Sequence, residues 1–211
     1  MAPERQTVRT QRRLNEVDEA ARRVIVRKGL RSTTMRDISR EGGFTTGVLT
    51  HYFPDKDALI VGVFSSASQS WIEGVRASLA EAATAQERLA VIVELAIPAD
   101  PDERREWRLW AEMWSYAGWN TSFAEHIIET DALWEQELGG VLKQAIGERL
   151  LPKLDVAAQA RILARLIDGL GLRSLLSGRW DEARATLVAH LAAIGLDPGT
   201  VRALESLAQP A

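Results

Sequence analysis

The twenty residues TMRDISREGGFTTGVLTHYF, positions 34–53, hold two glycines at their middle and leave room for only two short helices around them. Thr34 is a good N-cap, Asp37 stands at the third helical position as a carboxylate variant of the capping box, and Ile38 points inward. Gly42-Gly43 breaks this helix. Thr45 opens another through about His51, with Val48 or Leu49 and Phe53 turned to the core. Helices of two turns are marginal alone, so both must pack on longer neighbours. Those neighbours are legible. Leu14, Val17, Ala21, Val24 and Ile25 follow helical spacing up to Gly29, and Asp55 caps a long helix running to about Ala80. Two short helices joined by a glycine turn and flanked by long ones spell helix-turn-helix.

The rest of the chain continues in helices. Thr84 and Glu87 form a capping box before RLAVIVELAI. Asp102 begins a helix holding Trp107, Trp110 and Trp114, and a long one follows to Gly147. Asp155 starts another that Gly178 ends, Asp181 caps the next to Gly195, and DPGTVRALESLA forms the last. No useful β alternation and no internal repeat occur. The expected fold is all-α, with about nine or ten helices. Its domains are a helix-turn-helix domain over 1–55, preceded by a basic arm, and a larger helical ligand-binding and dimerisation domain over 56–211.

A helix-turn-helix places its second helix in the major groove, whose ~12 Å width admits it. The leading end must be small so that the backbone comes close, and Thr45, Thr46 and Gly47 meet that need. Thr46, Gly47 and His51 are expected at base edges, with Met35 able to meet a thymine methyl. Thr34, at a helix N-terminus, and Tyr52 and Lys56, after the recognition helix, are expected on phosphate. Charge agrees. Residues 1–60 hold 12 Lys and Arg against 8 Asp and Glu, whereas the remainder holds 14 against 21. A basic head on an acidic body puts only the head against a polyanion.

Other classes fall away. The chain has no cysteine, so disulfides and thiolate metal sites are excluded. No apolar run approaches the ~18 residues of a membrane span, and the arginine-rich start lacks the apolar stretch of a secretory signal. A cytoplasmic location is expected. There is no phosphate loop, nucleophile elbow or HExxH motif, and the histidines at 51, 126 and 190 are scattered, so no enzyme activity, cofactor or metal is expected.

Thr34, Asp37-Ile38-Ser39, Gly43, TTGVLTHYF, Lys56 and Leu59 resemble the DNA-binding domain of the TetR family of transcriptional regulators. GVLTHYFPDK and the later LIDGLGLRSLLSG are similar to its choline-responsive, BetI-type branch. The usual pattern has Tyr where this chain has Thr50, which transfers one phosphate contact to Tyr52. The resemblance implies a two-domain homodimer whose C-terminal domain binds an effector and weakens operator binding.

Trp107, Trp110 and Trp114 share one helical stripe, and Trp134 sits on the inward face of the next helix. Indole faces attract quaternary ammonium by ~0.5–2 kcal/mol each, so these four are the expected ligand wall, although aromatic stripes also serve as plain core. Asp168, in an apolar helix, either faces a cationic ligand or pairs with Arg165 three residues back. The helix of 156–177 is apolar over more than half its circumference and needs two partners. Leu163, Leu166 and Leu170, with Leu187 and Leu191, are expected to form a four-helix dimer bundle. Together these features describe a ligand-responsive repressor that binds palindromic double-stranded DNA as a homodimer. The effector that the resemblance implies is a quaternary amine, with a hydrophobic drug-like molecule as the alternative. The alternative is a small-molecule-binding helical protein whose basic head meets a protein rather than DNA.

Overall fold

The computed structural model describes residues 2–100 and 103–207. Ten α-helices and no strand occur among them: α1 (Ala2–Lys28), α2 (Met35–Gly42), α3 (Thr46–Tyr52), α4 (Lys56–Glu81), α5 (Ala85–Ala96), α6 (Arg104–Ala117), α7 (Thr121–Gly147), α8 (Val156–Ser177), α9 (Trp180–Ala193) and α10 (Pro198–Leu207). They gather into two compact units. Unit 1 comprises Met1–Ser70 with Arg108–His126, and unit 2 comprises Trp71–Trp107 with Ile127–Ala211. The helices α4, α6 and α7 each contribute to both.

In unit 1, Val17, Ala20, Ala21, Val24 and Ile25 of α1 are fully buried at helical spacing. Ile38 of α2, Leu49 of α3 and Leu59, Ile60 and Phe64 of α4 fill the same interior. Phe64 meets Phe123 at 5.2 Å between ring centroids, and Tyr116 meets Phe123 at 5.4 Å. The glycine pair has two separate jobs. Gly43 closes α2 at φ 67, a left-handed conformation that a Cβ disfavours. A Cβ at Gly42 would fall 2.0 Å from the Phe44 ring, so the close approach of that ring requires glycine there. The segment expected as a basic arm is instead the start of α1. It lacks a breaker between Glu4 and Lys28, and pairs such as Arg12–Glu16 support the helix at i, i+4.

Unit 2 is built from α5, α8, α9 and α10, the end of α4, the first turn of α6 and the later part of α7. Thr84 and Glu87 form the expected reciprocal capping box, and Asp155 accepts from the Ala158 N–H at 3.0 Å to cap α8. Leu89, Ile92, Leu138, Val141, Leu142, Leu163, Leu187 and Leu191 close around a void of only about 10 Å³, whose apolar lining offers a water no hydrogen-bond partner. Arg184 is a buried cation, 6% exposed, whose guanidinium donates to the Ile97 carbonyl at 2.6 and 3.2 Å and to the Leu207 carbonyl at 2.9 Å. These carbonyls end α5 and α10, where the helix dipole favours a positive charge.

Two expectations change here. Asp181 is not a cap: α9 starts two residues earlier than that cap implies, at Trp180 with Arg179 at the N-cap, and Asp181 lies in the first turn. Leu163, Leu187 and Leu191 are 3%, 1% and 2% exposed and face the core of their own unit, so they are not available to a second subunit. The exposed apolar side of α8 carries Ile162, Leu172 and Leu176 instead, with Leu166 and Leu170 half-buried beside them. The expected cap Asp102 lies outside the described residues.

Candidate nucleic-acid interface and effector site

The tip of α3 is held from behind and open in front. Leu49 anchors the helix in the core of unit 1, while Thr45, Thr46, Gly47 and His51 are exposed. Thr45 has extended N-cap geometry (φ −77, ψ 154) but its side chain makes no capping hydrogen bond. Its hydroxyl is thereby left to an outside partner, as are the first N–H groups of the helix. Nothing of this unit stands over Gly47: the nearest atom to a Cβ built there would be Thr45 Oγ1, at 3.7 Å. Thr50 donates to the Gly47 carbonyl at 3.3 Å, and the His51 and Tyr52 rings meet edge-on at 4.9 Å.

Around this tip the expected phosphate contacts have internal engagements. Thr34 accepts from the Asp37 N–H at 3.2 Å, and its hydroxyl donates back to the Asp37 carboxylate, which Lys28 also contacts. The Lys28 ammonium and then the Thr34 hydroxyl hold the Asp37 carboxyl well below the usual range. Lys56 donates to the Leu30 carbonyl at 2.9 Å, and the Leu30 N–H donates to Glu112 at 2.8 Å. Met35 is half-buried at the start of α2.

Each tryptophan of the expected ligand wall has an aromatic neighbour. Trp107 packs on Trp180 at 6.3 Å, and its ring lies where a Cβ at Gly171 would be, at 2.0 Å. The Arg104 guanidinium covers Trp180 at 5.3 Å, a cation–π contact already filled from within. Trp134 meets Trp71 edge-on at 4.9 Å, and Trp110 lies 6.4 Å from Trp114 along α6. Trp71 and Trp180 were not singled out by spacing, because each finds its partner from a helix distant in sequence.

Asp168 belongs to a cluster. Arg165 reaches Asp131 at 3.2 Å, Glu135 at 3.1 Å and Asp168 at 3.5 Å, so three carboxylates share one guanidinium. Burial, and then the Asp131 charge, push the Asp168 carboxyl up to about 6. Burial likewise raises Asp131. Asp131, Trp134 and Glu135 lie within one turn of α7, so the acidic cluster continues the Trp71–Trp134 pair. Among the described residues no group of His, Cys, Asp or Glu has an arrangement suited to a metal ion.

The helix-turn-helix matches the model of bacterial regulatory proteins of the tetR family over residues 19–63. Residues 85–196, just over half the chain, match the C-terminal domain of BetI-type transcriptional repressors. This chain belongs to the TetR family. The regulator is 27% identical over 166 residues to the HTH-type transcriptional regulator BetI of Paraburkholderia phymatum, covering 77% of this chain and 81% of the relative. It is also similar to a protein of Saccharomonospora viridis described as a transcriptional regulator and solved in complex with choline. That likeness has a TM-score of 0.79 at 25% identity, over 87% of this chain and 96% of the other. A TetR transcription regulator of Haloarcula marismortui shares the fold, with a TM-score of 0.79 at 20% identity, over 87% and 98%. No described helix is long and apolar enough to cross a membrane.

Proposed function

We propose that the regulator represses transcription by holding a two-fold operator as a homodimer and releases it when a quaternary amine binds. The observation that carries the DNA half is the open, uncapped tip at Thr45, Thr46 and Gly47, supported from behind by Leu49. In this reading Thr46, Gly47 and His51 meet base edges, while Tyr52 lies toward the backbone. Thr34 and Lys56 hold the scaffold of α2 and α4 before they touch any phosphate. The dimer forms through the exposed side of α8 at Ile162, Leu166, Leu170, Leu172 and Leu176, and sets two copies of α3 ~34–36 Å apart, or a multiple of that.

The effector half is supported by the cluster around Arg165 and by the choline bound to the Saccharomonospora viridis protein. A quaternary amine needs aromatic faces and negative charge with no strong hydrogen-bond donor, and Trp71, Trp134, Asp131 and Asp168 supply both. The Arg165–Asp168 contact is the longest of the three, at 3.5 Å, so an entering cation displaces it first. Effector binding then favours a conformation with misplaced recognition helices, and DNA affinity falls by the difference in effector affinity for the two states. A gel shift with the DNA upstream of the regulator's own gene tests this, with choline titrated in and tryptophan fluorescence followed in parallel. A shift reversed by choline, with quenching over the same range, is expected. A shift that choline leaves intact rejects the effector assignment, and no shift at any salt concentration rejects the DNA reading.

A further inference from the structure

The charge that meets the DNA backbone has to come from side chains that are free to give it. Thr34 is engaged with Asp37, and Lys56 with the Leu30 carbonyl. Asp37 and Lys28 further occupy the N-terminal end of α2, where an anion would otherwise settle. Over residues 10–56, six of the ten Lys and Arg side chains are held at contact distance by carboxylates. Arg12 and Arg13 pair with Glu16, Arg22 with Asp18, Arg23 and Arg27 with Glu41, and Lys28 with Asp37. These pairs pin α1 to itself and to α2. Arg22 with Asp18, Lys28 with Asp37, and Arg23 and Arg27 with Glu41 and Glu19 look nearly neutral at a distance, whereas Arg12 and Arg13 share Glu16 and keep one net positive charge.

Three arginines in this stretch stand apart. Arg31, Arg36 and Arg40 are exposed, and no carboxylate among the described residues pairs with any of them. Arg36 and Arg40 are four residues apart on α2 and so share one stripe of its outer side. Arg31 lies in the turn just before α2 and lines the same open cleft as Lys56. A guanidinium remains charged at any working pH and presents a fork of donors that fits phosphate oxygens.

We propose that Arg31, Arg36 and Arg40 are the main phosphate-binding cations of this regulator, strung along α2 and its leading turn beside the recognition helix. The proposal rests on the DNA reading above and names which residues fix register on the backbone. It also assigns the paired arginines of α1 a scaffolding role, although they carry the same formal charge.

Phosphate contacts are blind to sequence, so the test needs no operator. Binding of a fluorescent mixed-sequence duplex is measured by anisotropy across a salt series for the wild type and for R31A, R36A and R40A. R23A and R27A serve as controls because they change the net charge equally but remove an arginine from a charge-balanced group. Circular dichroism melts confirm that all variants fold. Each of the three free arginines should reduce the slope of log affinity against log salt by about 0.9 per contacting subunit, or about 2 in a two-fold dimer. The controls should stay near the wild-type slope. Wild-type slopes in R31A, R36A and R40A overturn the proposal, as does an equal loss in the controls, which would mean that net charge alone matters. A wild type that binds no duplex at low salt removes the DNA reading itself, an outcome distinct from either.

Discussion

Asp168→Asn should stabilise the regulator at neutral pH, although it removes a member of an ion-pair cluster. Burial and Asp131 raise the Asp168 carboxyl from 3.8 to about 6, which means that the folded state resists the charge. An unfolded Asp titrates near 3.8, so between the two values the folded protein binds more protons than the unfolded chain. Stability therefore falls as pH rises from about 4 to about 6 and levels off above. At ~1.36 kcal/mol per tenfold change in proton affinity, the rise from 3.8 to about 6 sets a ceiling of about 3 kcal/mol. The side chain is 28% exposed, and solvent screening brings the expected gain down. The working figure is roughly 1–2 kcal/mol. Arg165 keeps Asp131 and Glu135 in the variant, so no cation is left stranded. Urea unfolding midpoints for both proteins from pH 4 to pH 8 would read this directly. The wild-type midpoint should decline through pH 6 and the variant's should decline much less, so that the curves separate above it. A variant less stable than wild type at pH 7, by 1 kcal/mol or more, would refute the reasoning and make the Arg165–Asp168 contact a net stabilising bond.

Choline affinity should rise with pH through about 6, as Asp168 ionises, and Asp168→Asn should flatten that dependence in a fluorescence titration. Gly171→Ala places a methyl group against the Trp107 ring and should cost ~1–3 kcal/mol, visible as a lowered urea midpoint with altered tryptophan emission. Arg184→Ala leaves the Ile97 and Leu207 carbonyls without their donor in a buried setting. A loss of ~3 kcal/mol is expected, seen as a melting point lowered by roughly 6–12 °C.

What was legible in the sequence is what local chemistry decides. Thr34 with Asp37, Thr84 with Glu87, Asp155, Gly43 and Gly178 mark helix ends because caps act over three or four residues. The open α3 tip follows from the same signals, since small residues ahead of a buried Leu49 leave few alternatives. The side of α8 that serves its own core was not legible. Its apolar arc is wide, and only the arrival of Leu187 and Leu191 from α9 decides that Leu163 turns inward. The tryptophans behave likewise: Trp71 with Trp134 and Trp107 with Trp180 are pairs made across long stretches of chain. Spacing along α6 shows a stripe but not what covers each ring. A single cut near residue 55 could not show that Arg108–His126 returns to unit 1, since nothing local marks such a return. Lys56 and Arg31 look equivalent as letters, and only coordinates reveal that one ammonium is bound to Leu30 and the other cation is free.

The sharpest test is the ratio of two affinities, for the fragment upstream of the regulator's own gene and for a scrambled duplex of equal length, in wild type and in Thr46→Ala. The wild type should prefer its own fragment by ~10³-fold or more. The variant should lose roughly tenfold of that preference while its affinity for scrambled DNA stays unchanged. An unchanged ratio would contradict the assignment of the α3 tip to base edges.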